Sequence, residues 1–411
     1  MKANNRGKYM FGSEWRIWDL HVHTPETQKN DLYKVNEDED PWDLFCKKIN
    51  NSDVEGFGIC DYFSVKNYFK FIEKYFSYYP KSNKMFFPNI ELCTNDVVNK
   101  AGEEVNLHLI FNPKIPDLRK KLDEFLRNLE TNQTDSKGRN YKASDLSKTS
   151  DFEKATTTRK FIEEAYNATF GKKSQMIENL LIITAANNDG LRAIRGVKRK
   201  ECISDELDKF SNCFFGNKSN TDYFMNENRL EDGEKTISKP VITGSDSHSF
   251  EDLDNYLGKE FRNTDGVLVK QITWIKSDLT FEGLKQILFE PLPGERVWIG
   301  AAIPDSKDDF KVIKEIRFKN SKCFPEQIEF NQNLNSIIGS RSAGKSALLA
   351  YLAYFIDPQI TARRKEDGPG DGEDFNWKSL KEECEVLWAN GEKMILLKGE
   401  LFIFRKIIYI K

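Results

Sequence analysis

RIWDLHVHT, residues 16–24, alternates apolar and polar positions and ends on two histidines. A strand puts alternate side chains on one face, so His21 and His23 are expected on the same side, with Asp19 beside them to orient an imidazole. The spacing returns in GSDSHS (244–249), where Asp246 and His248 stand two apart. Between these stretches, VEGFGICDYF (54–63), KMFFPNIEL (84–92) and VNLHLIFN (105–112) read as buried strands ending in polar residues. DPWDLFCKKINN (40–51) and VKNYFKFIEKYF (65–76) carry helical periodicity. Strands alternating with helices predict an α/β sheet or barrel whose strand ends converge on one face.

The chain holds four histidines, His21, His23, His108 and His248, each at or just beyond a predicted strand end. Asp61 and Glu91 end two further strands. Imidazole with carboxylate suits Mn, Zn or Fe, and such ions turn water into a nucleophile and clamp phosphate. An ordinary surface or core histidine is the common case. Two separate paired motifs, using three of the four histidines, favour metal binding.

Composition narrows the classes. Of 411 residues, 39% are hydrophobic and 31% charged, enough for two or three domains with real cores. Lys+Arg number 62 against 65 Asp+Glu, a net charge of −3, which is not the balance of a basic nucleic-acid coat protein. Seven cysteines without C-x-x-C spacing point to free thiols in a reducing compartment. Neither a signal peptide nor an apolar run of membrane length is present, so a cytoplasmic location is expected.

The segment 116–173 differs in texture: a charged helix, LRKKLDEFLRNLE (118–130), then a polar stretch expected to be an insertion with a mobile loop. NLLIITAANNDG (179–190) and KPVITGSDSHS (239–249) resume the strands. Arg192, Arg195, Lys198, Arg199 and Lys200 form a basic run that would suit a nucleic-acid backbone or a solvated helix face.

A second module begins near residue 303. Gly339 to Ser346, GSRSAGKS, fits G-x-x-x-x-G-K-[ST] at every fixed position. LNSII (334–338) before it reads as a strand and SALLAYLAYFI (346–356) after it as a helix. Gly339, Ser342, Ala343, Gly344, Lys345, Ser346 and Ala347 are therefore expected to cradle ATP, with Ser346 on Mg²⁺. KVIKEIRF (311–318) and EQIEF (326–330) read as strands, RRKEDGPGDGED (363–374) as an acidic loop, and CEVLWANGEKMILLKG (384–399) as a hairpin turning at Asn390–Gly391. No Asp-Glu-ended strand and no signature segment follows Ser346. The head is expected to be incomplete, to lack steady ATP hydrolysis and to leave an apolar edge at LFIFRKIIYIK (401–411).

DLHVHT, GICDY, NIEL, NLHLIF and GSDSH, in this order, resemble the polymerase-and-histidinol-phosphatase (PHP) superfamily over about residues 13–302. The resemblance implies a distorted β/α barrel that hydrolyses phosphoesters. It implies His21, His23, Glu91, His108, Asp246 and His248 as ligands. One ion would take the first histidine pair with Glu91 and Asp246, and Glu91 would bridge to a second near His108. Hydrolysis would depend on His23, Asp246 and His248. Tyr62 stands where the family has His, as do Asn187 and Asn188 after the later strand, so one or two ions are expected rather than three. EQIEFNQNLNSIIGSRSAGKSALL resembles the start of an ABC/SMC-type ATPase head, an expected dimer when complete. The order of modules is similar to the TrlF-like PHP–ATPase family, linked with DNA repair or defence against foreign nucleic acid. Three readings remain open at this point: a phosphodiesterase or nuclease acting on nucleic acid, an ATP-dependent binding module with a degenerate PHP domain, and a small-molecule phosphatase.

Overall fold

The structure is a computed structural model that describes residues 13–95, 104–172, 176–187, 190–191, 201–230, 232–304, 307–341, 343–359, 382–397 and 400–404. The basic run 192–200, Asn188, Ser342 and the acidic loop 363–374 lie outside them. The chain divides into two compact units, Ser13–Pro304 and one that includes Asp305–Lys411.

The first unit is built on nine strands: β1 Trp15–His23, β2 Val54–Tyr62, β3 Met85–Thr94, β4 Val105–Phe111, β5 Leu180–Ala185, β6 Cys213–Phe215, β7 Val241–Ile242, β8 Thr273–Lys276 and β9 Val297–Ile299. Their order in the sheet is β9-β8-β1-β2-β3-β4-β5-β6-β7. β1, β2 and β3 run parallel, β4 is antiparallel to both β3 and β5, and β5, β6 and β7 are parallel again. The sheet curls toward closure. Beyond β7, Asp246 N donates to His21 O at 2.9 Å and His23 N to Ser247 O at 3.2 Å. The result is a mixed α/β, nearly closed barrel, compatible with a distorted β/α barrel.

Alternation sorts each strand into an inner and an outer face. Trp18, Leu20, Phe87, Ile110, Leu181 and Ile183 pack together in one cluster with Phe281, Leu284 and Ile287 of a helix at Phe281–Phe289. Val22, Val54, Phe57, Ile59 and Phe86 pack instead against two helices, α1 (Pro41–Asn51) and α2 (Lys66–Tyr78). Asp40 starts α1 by accepting from Trp42 N at 2.8 Å, with Pro41 at the first turn.

Segment 116–172 departs from the expected mobile loop. After a helix at Leu118–Asn128 it forms a small hairpin, Glu130–Thr134 with Asn140–Lys142, and a helix at Arg159–Phe170. Apolar residues spaced through the polar stretch explain the difference: Leu146, Phe152, Ala155, Ile162 and Tyr166 are buried with Phe125 and Leu129.

The second unit has a five-stranded antiparallel sheet of β10 Ile313–Phe318, β11 Gln327–Glu329, β12 Cys384–Trp388, β13 Lys393–Leu397 and β14 Glu400–Phe404, ordered β11-β10-β12-β13-β14. The turn between β12 and β13 holds Gly391 at φ 83°, which glycine adopts without strain. A helix at Lys345–Ile356 packs Leu348, Tyr351 and Phe355 against Ile316, Phe318 and Val386. LNSII is not a strand: among the described residues none pairs with 334–338, and Leu334 and Ile338 are 85% and 90% exposed. A strand needs a hydrogen-bonding neighbour, and this run has none.

Candidate metal centre

The centre sits where inward-facing residues of β1 to β4 come level. The strand register sets His23 beside Cys60, Cys60 beside Asn89, Tyr62 beside Glu91, and Glu91 opposite His108. β1 reaches this arrangement through a bulge between Asp19 and Val22, where one extra residue slips the pairing with β2. The bulge lets Trp18 and Leu20 fill the interior while His21 and His23, of opposite parity, also point inward. Asp19 therefore leaves the expected ligand face. It is buried, and its carboxylate accepts from the backbone of His21 (3.2 Å) and Ser245 (3.1 Å), so it braces the seam rather than an imidazole ring.

Four side chains converge. His21 Nε2 lies 3.1 Å from His23 Nε2, 3.3 Å from Glu91 Oε2 and 3.1 Å from Asp246 Oδ1. His23 Nε2 lies 3.1 Å from Glu91 Oε2 and 3.7 Å from Asp246 Oδ1. Ligands about 2.1 Å from a tetrahedral zinc-like ion sit roughly 3.4 Å apart, so these spacings fit a cage for one divalent ion. Asp246 holds φ at 52°, a left-handed value uncommon for a side-chain-bearing residue and frequent at functional sites.

The electrostatics favour the ligand forms of His23, His108, Glu91 and Asp246, whereas at His21 burial, which favours the neutral ring, is outweighed by Asp246 and Glu91, which raise its pKa. Burial pushes His23 down to about 4 against the pull of Glu91, and His108 down to about 3 with help from His21, so both imidazoles are neutral at pH 7. Burial opposes ionisation of Glu91, but the neighbouring imidazoles of His108, His21 and His23 outweigh it and hold the carboxyl well below its usual range. Burial likewise opposes the charge on Asp246, and His21 and His23 overcome it.

Asp61 is not in the cage. It has the opposite parity from Cys60 and Tyr62 and faces away from Glu91. Its Oδ1 accepts from Thr27 Oγ1 (3.1 Å), Gln28 N (3.0 Å) and Tyr62 N (2.8 Å), and burial pushes its carboxyl up to about 7. Thr27 Oγ1, donating to Asp61, is left to accept from His23 Nδ1 at 3.3 Å. That chain places the His23 proton on Nδ1 and turns the Nε2 lone pair into the cage.

His248 is close but otherwise engaged. Its Nε2 meets Tyr62 Oη at 3.0 Å and its Nδ1 meets Asp246 O at 3.0 Å, with the ring stacked 4.1 Å from His23. Both nitrogens are thus engaged in hydrogen bonds, and among the described residues His248 is not in either close group of metal-capable donors. Asn187 forms a reciprocal amide pair with Asn220 (2.8 and 2.9 Å), and Asn220 Oδ1 also accepts from Asn217 N. His108 lies beside Glu91 with Nδ1 near Asn89 (3.2 Å).

The residues that sequence reasoning missed are Cys60, Thr27, Asn89 and Asn106. Asn106 Nδ2 donates to Glu91 Oε1 at 3.0 Å, leaving Oε2 for the cage. Parity along β2, β3 and β4 carried the signal for Cys60, Asn89 and Asn106. Nothing in the sequence marked Thr27.

In the second unit, Lys345 Nζ donates to Gly339 O (2.8 Å) and Ser340 O (2.7 Å), and the helix starts at Lys345 after Gly344 in a left-handed conformation. The chain matches no protein-family model and no curated protein. Among the described residues no helix is long and apolar enough to cross a membrane.

Proposed function

We propose that the first unit is a metal-dependent phosphoesterase of PHP type. The observation that carries this reading is the convergence of His21, His23, Glu91 and Asp246 at spacings that suit one divalent ion. When bound, such an ion acidifies water and polarises a phosphoryl oxygen. The chain's own residues do the rest. Glu91 and the two imidazoles would hold the ion. The Asp246 side chain is 48% exposed, so the cage opens to solvent at that residue. Tyr62 Oη and His248 Nε2 share a proton beside His23, placed to pass it to a departing alkoxide.

Two lysines support an anionic substrate. Lys29 Nζ lies 4.0 Å from the centroid of the Tyr62 ring, and Lys270 is close enough to His21 to oppose its protonation. A phosphodiester in nucleic acid is the substrate class this reading favours, with ATP taken by the Gly339–Ala347 loop and the heads self-associating. The helix start at Lys345 supports the nucleotide part. A binding module with a non-catalytic ion is the second reading, favoured by the Tyr62–His248 and Asn187–Asn220 pairs, which close positions otherwise available to further ions.

The test is metal analysis of the purified chain with a nuclease and phosphatase panel in Mn²⁺. His23→Ala and Asp246→Ala should each lower turnover by at least about 100-fold, since even outer partners of a metal cost 10 to 100-fold. Unchanged turnover in both variants would place the chemistry elsewhere. Bound metal without turnover on any phosphoester would favour the binding module.

A further inference from the structure

Beneath the cage, on the same wall of Glu91, lies a second group of donors. Cys60 Sγ is 3.7 Å from Glu91 Oε2 and 3.9 Å from His108 Nδ1. Ligand atoms of Cys60, Glu91, His108 and His21 all fall within 4.8 Å of one another, and Cys60, Glu91 and His108 are buried. In a tetrahedral site with a metal–sulfur bond of about 2.3 Å and a metal–nitrogen bond of about 2.05 Å, sulfur and nitrogen sit roughly 3.6 Å apart. The observed distances fall a few tenths of an ångström outside that value.

The side chains that would ordinarily compete are accounted for. Asn187, at the end of β5, is tied to Asn220. Asn89 Nδ2 keeps a bond to Leu20 O (2.8 Å) whether or not it also meets His108. The His108 ring is fixed edge-on between His21 (centroids 4.2 Å) and Phe215 (4.7 Å), so its orientation does not depend on Asn89. Among the described residues the Cys60 sulfur thus has no contact stronger than those to Glu91 Oε2 and His108 Nδ1.

We infer that Cys60 is a sulfur ligand of the second ion position already expected beside Glu91 and His108, and that it makes this position selective for a thiophilic divalent ion. The inference deepens the metal-cage reading and rests on it through Glu91, whose Oε2 belongs to both groups. On binding, the Cys60 S–H bond breaks, a sulfur–metal bond forms in place of one metal–water bond, and the proton passes to buffer. Thiolate selects Zn, Fe(II) or Co(II) over Mg or Mn, so the two positions differ in preference: the cage of nitrogen and oxygen donors accepts Mn, and the position at Cys60 does not.

The experiment is a Co²⁺ titration of the metal-free, full 411-residue chain, followed by absorption and proton release. The expected result is two equivalents, the second bringing an intense near-ultraviolet sulfur-to-cobalt band and one proton. Cys60→Ser should lose that band and weaken the second equivalent at least about 100-fold, while keeping the visible absorption of the first, which also shows that the variant is folded. His108→Gln, acting on a different ligand, should lose the same band. A single equivalent without the band, or a band that persists in Cys60→Ser, would overturn the sulfur position and leave the cage intact. No cobalt bound at all would overturn both.

Discussion

Gly58→Ala tests the bulge that turns the histidines inward. A Cβ at Gly58 would stand 2.1 Å from Leu20 O and 2.7 Å from Leu20 C, against an ordinary contact of 3.4 Å or more. These are backbone atoms with no rotamer to yield, so β1 and β2 must part by roughly 1.3 Å at the residue before His21. Overpacking of this kind costs about 1–3 kcal/mol, and a backbone neighbour puts it near the upper end. For a unit of this size that is a melting point lower by about 6–12 °C, at roughly 2–4 °C per kcal/mol. Metal binding should suffer separately. Ligand distances tolerate about 0.2 Å, and His21 and His23 both move with β1. Scanning calorimetry of the metal-free protein and titration calorimetry with Zn²⁺ or Mn²⁺ read the two effects. A variant that melts within a degree of the parent and binds the ion equally well would refute the claim that the bulge needs a glycine beside it.

Two further outcomes are expected. Lys239 is 3% exposed and lies 3.3 Å from Asp208, which Arg229 also grips at 2.8 Å; burial holds its ammonium down to about 8 from 10.5. Between those pH values the unfolded chain keeps a proton that the folded chain has released, so the contribution of Lys239 to the unfolding free energy should rise by about 2–3 kcal/mol across pH 8–10.5; denaturant melts should show the parent gaining about that much relative to Lys239→Met over the same range. The Gly339–Ser346 loop is expected to bind ATP weakly, without steady hydrolysis and in a way that Lys345→Ala abolishes; robust, Lys345-dependent turnover would show a more complete head than the sequence indicates.

Much of the centre was legible because strand ends advertise themselves. An apolar run that stops on His, Glu or Asp can be read from composition alone, and His21, His23 and Asp246 came from that signal; Glu91 and His108, also expected at strand ends, lie inside β3 and β4. The departures have separate causes, and the placing of Asp61 follows from alternation along β2. Applied to β2, it sets Cys60 and Tyr62 inward and Asp61 outward, as the structure has them. Applied to β1 it fails, because a bulge adds one residue and leaves no mark in the residue types. His248 could not be settled from sequence, since its fate depends on Tyr62, a contact 186 positions away. LNSII had the right residues for a strand. Pairing, which the local sequence does not encode, decided against it.

The seam that completes the barrel joins residues 226 positions apart, Asp19 and Ser245. A ribosome adds about 5–20 residues per second, so β1 emerges roughly 11–45 seconds before the segment that closes on it. Throughout that interval Trp18 and Leu20 lack most of their final surroundings, and the two histidines lack Asp246. A nascent chain therefore cannot assemble the complete four-donor cage. An ion held there would be a late arrival, and its retention would report that translation has passed the seam and that the two ends of the barrel have found each other.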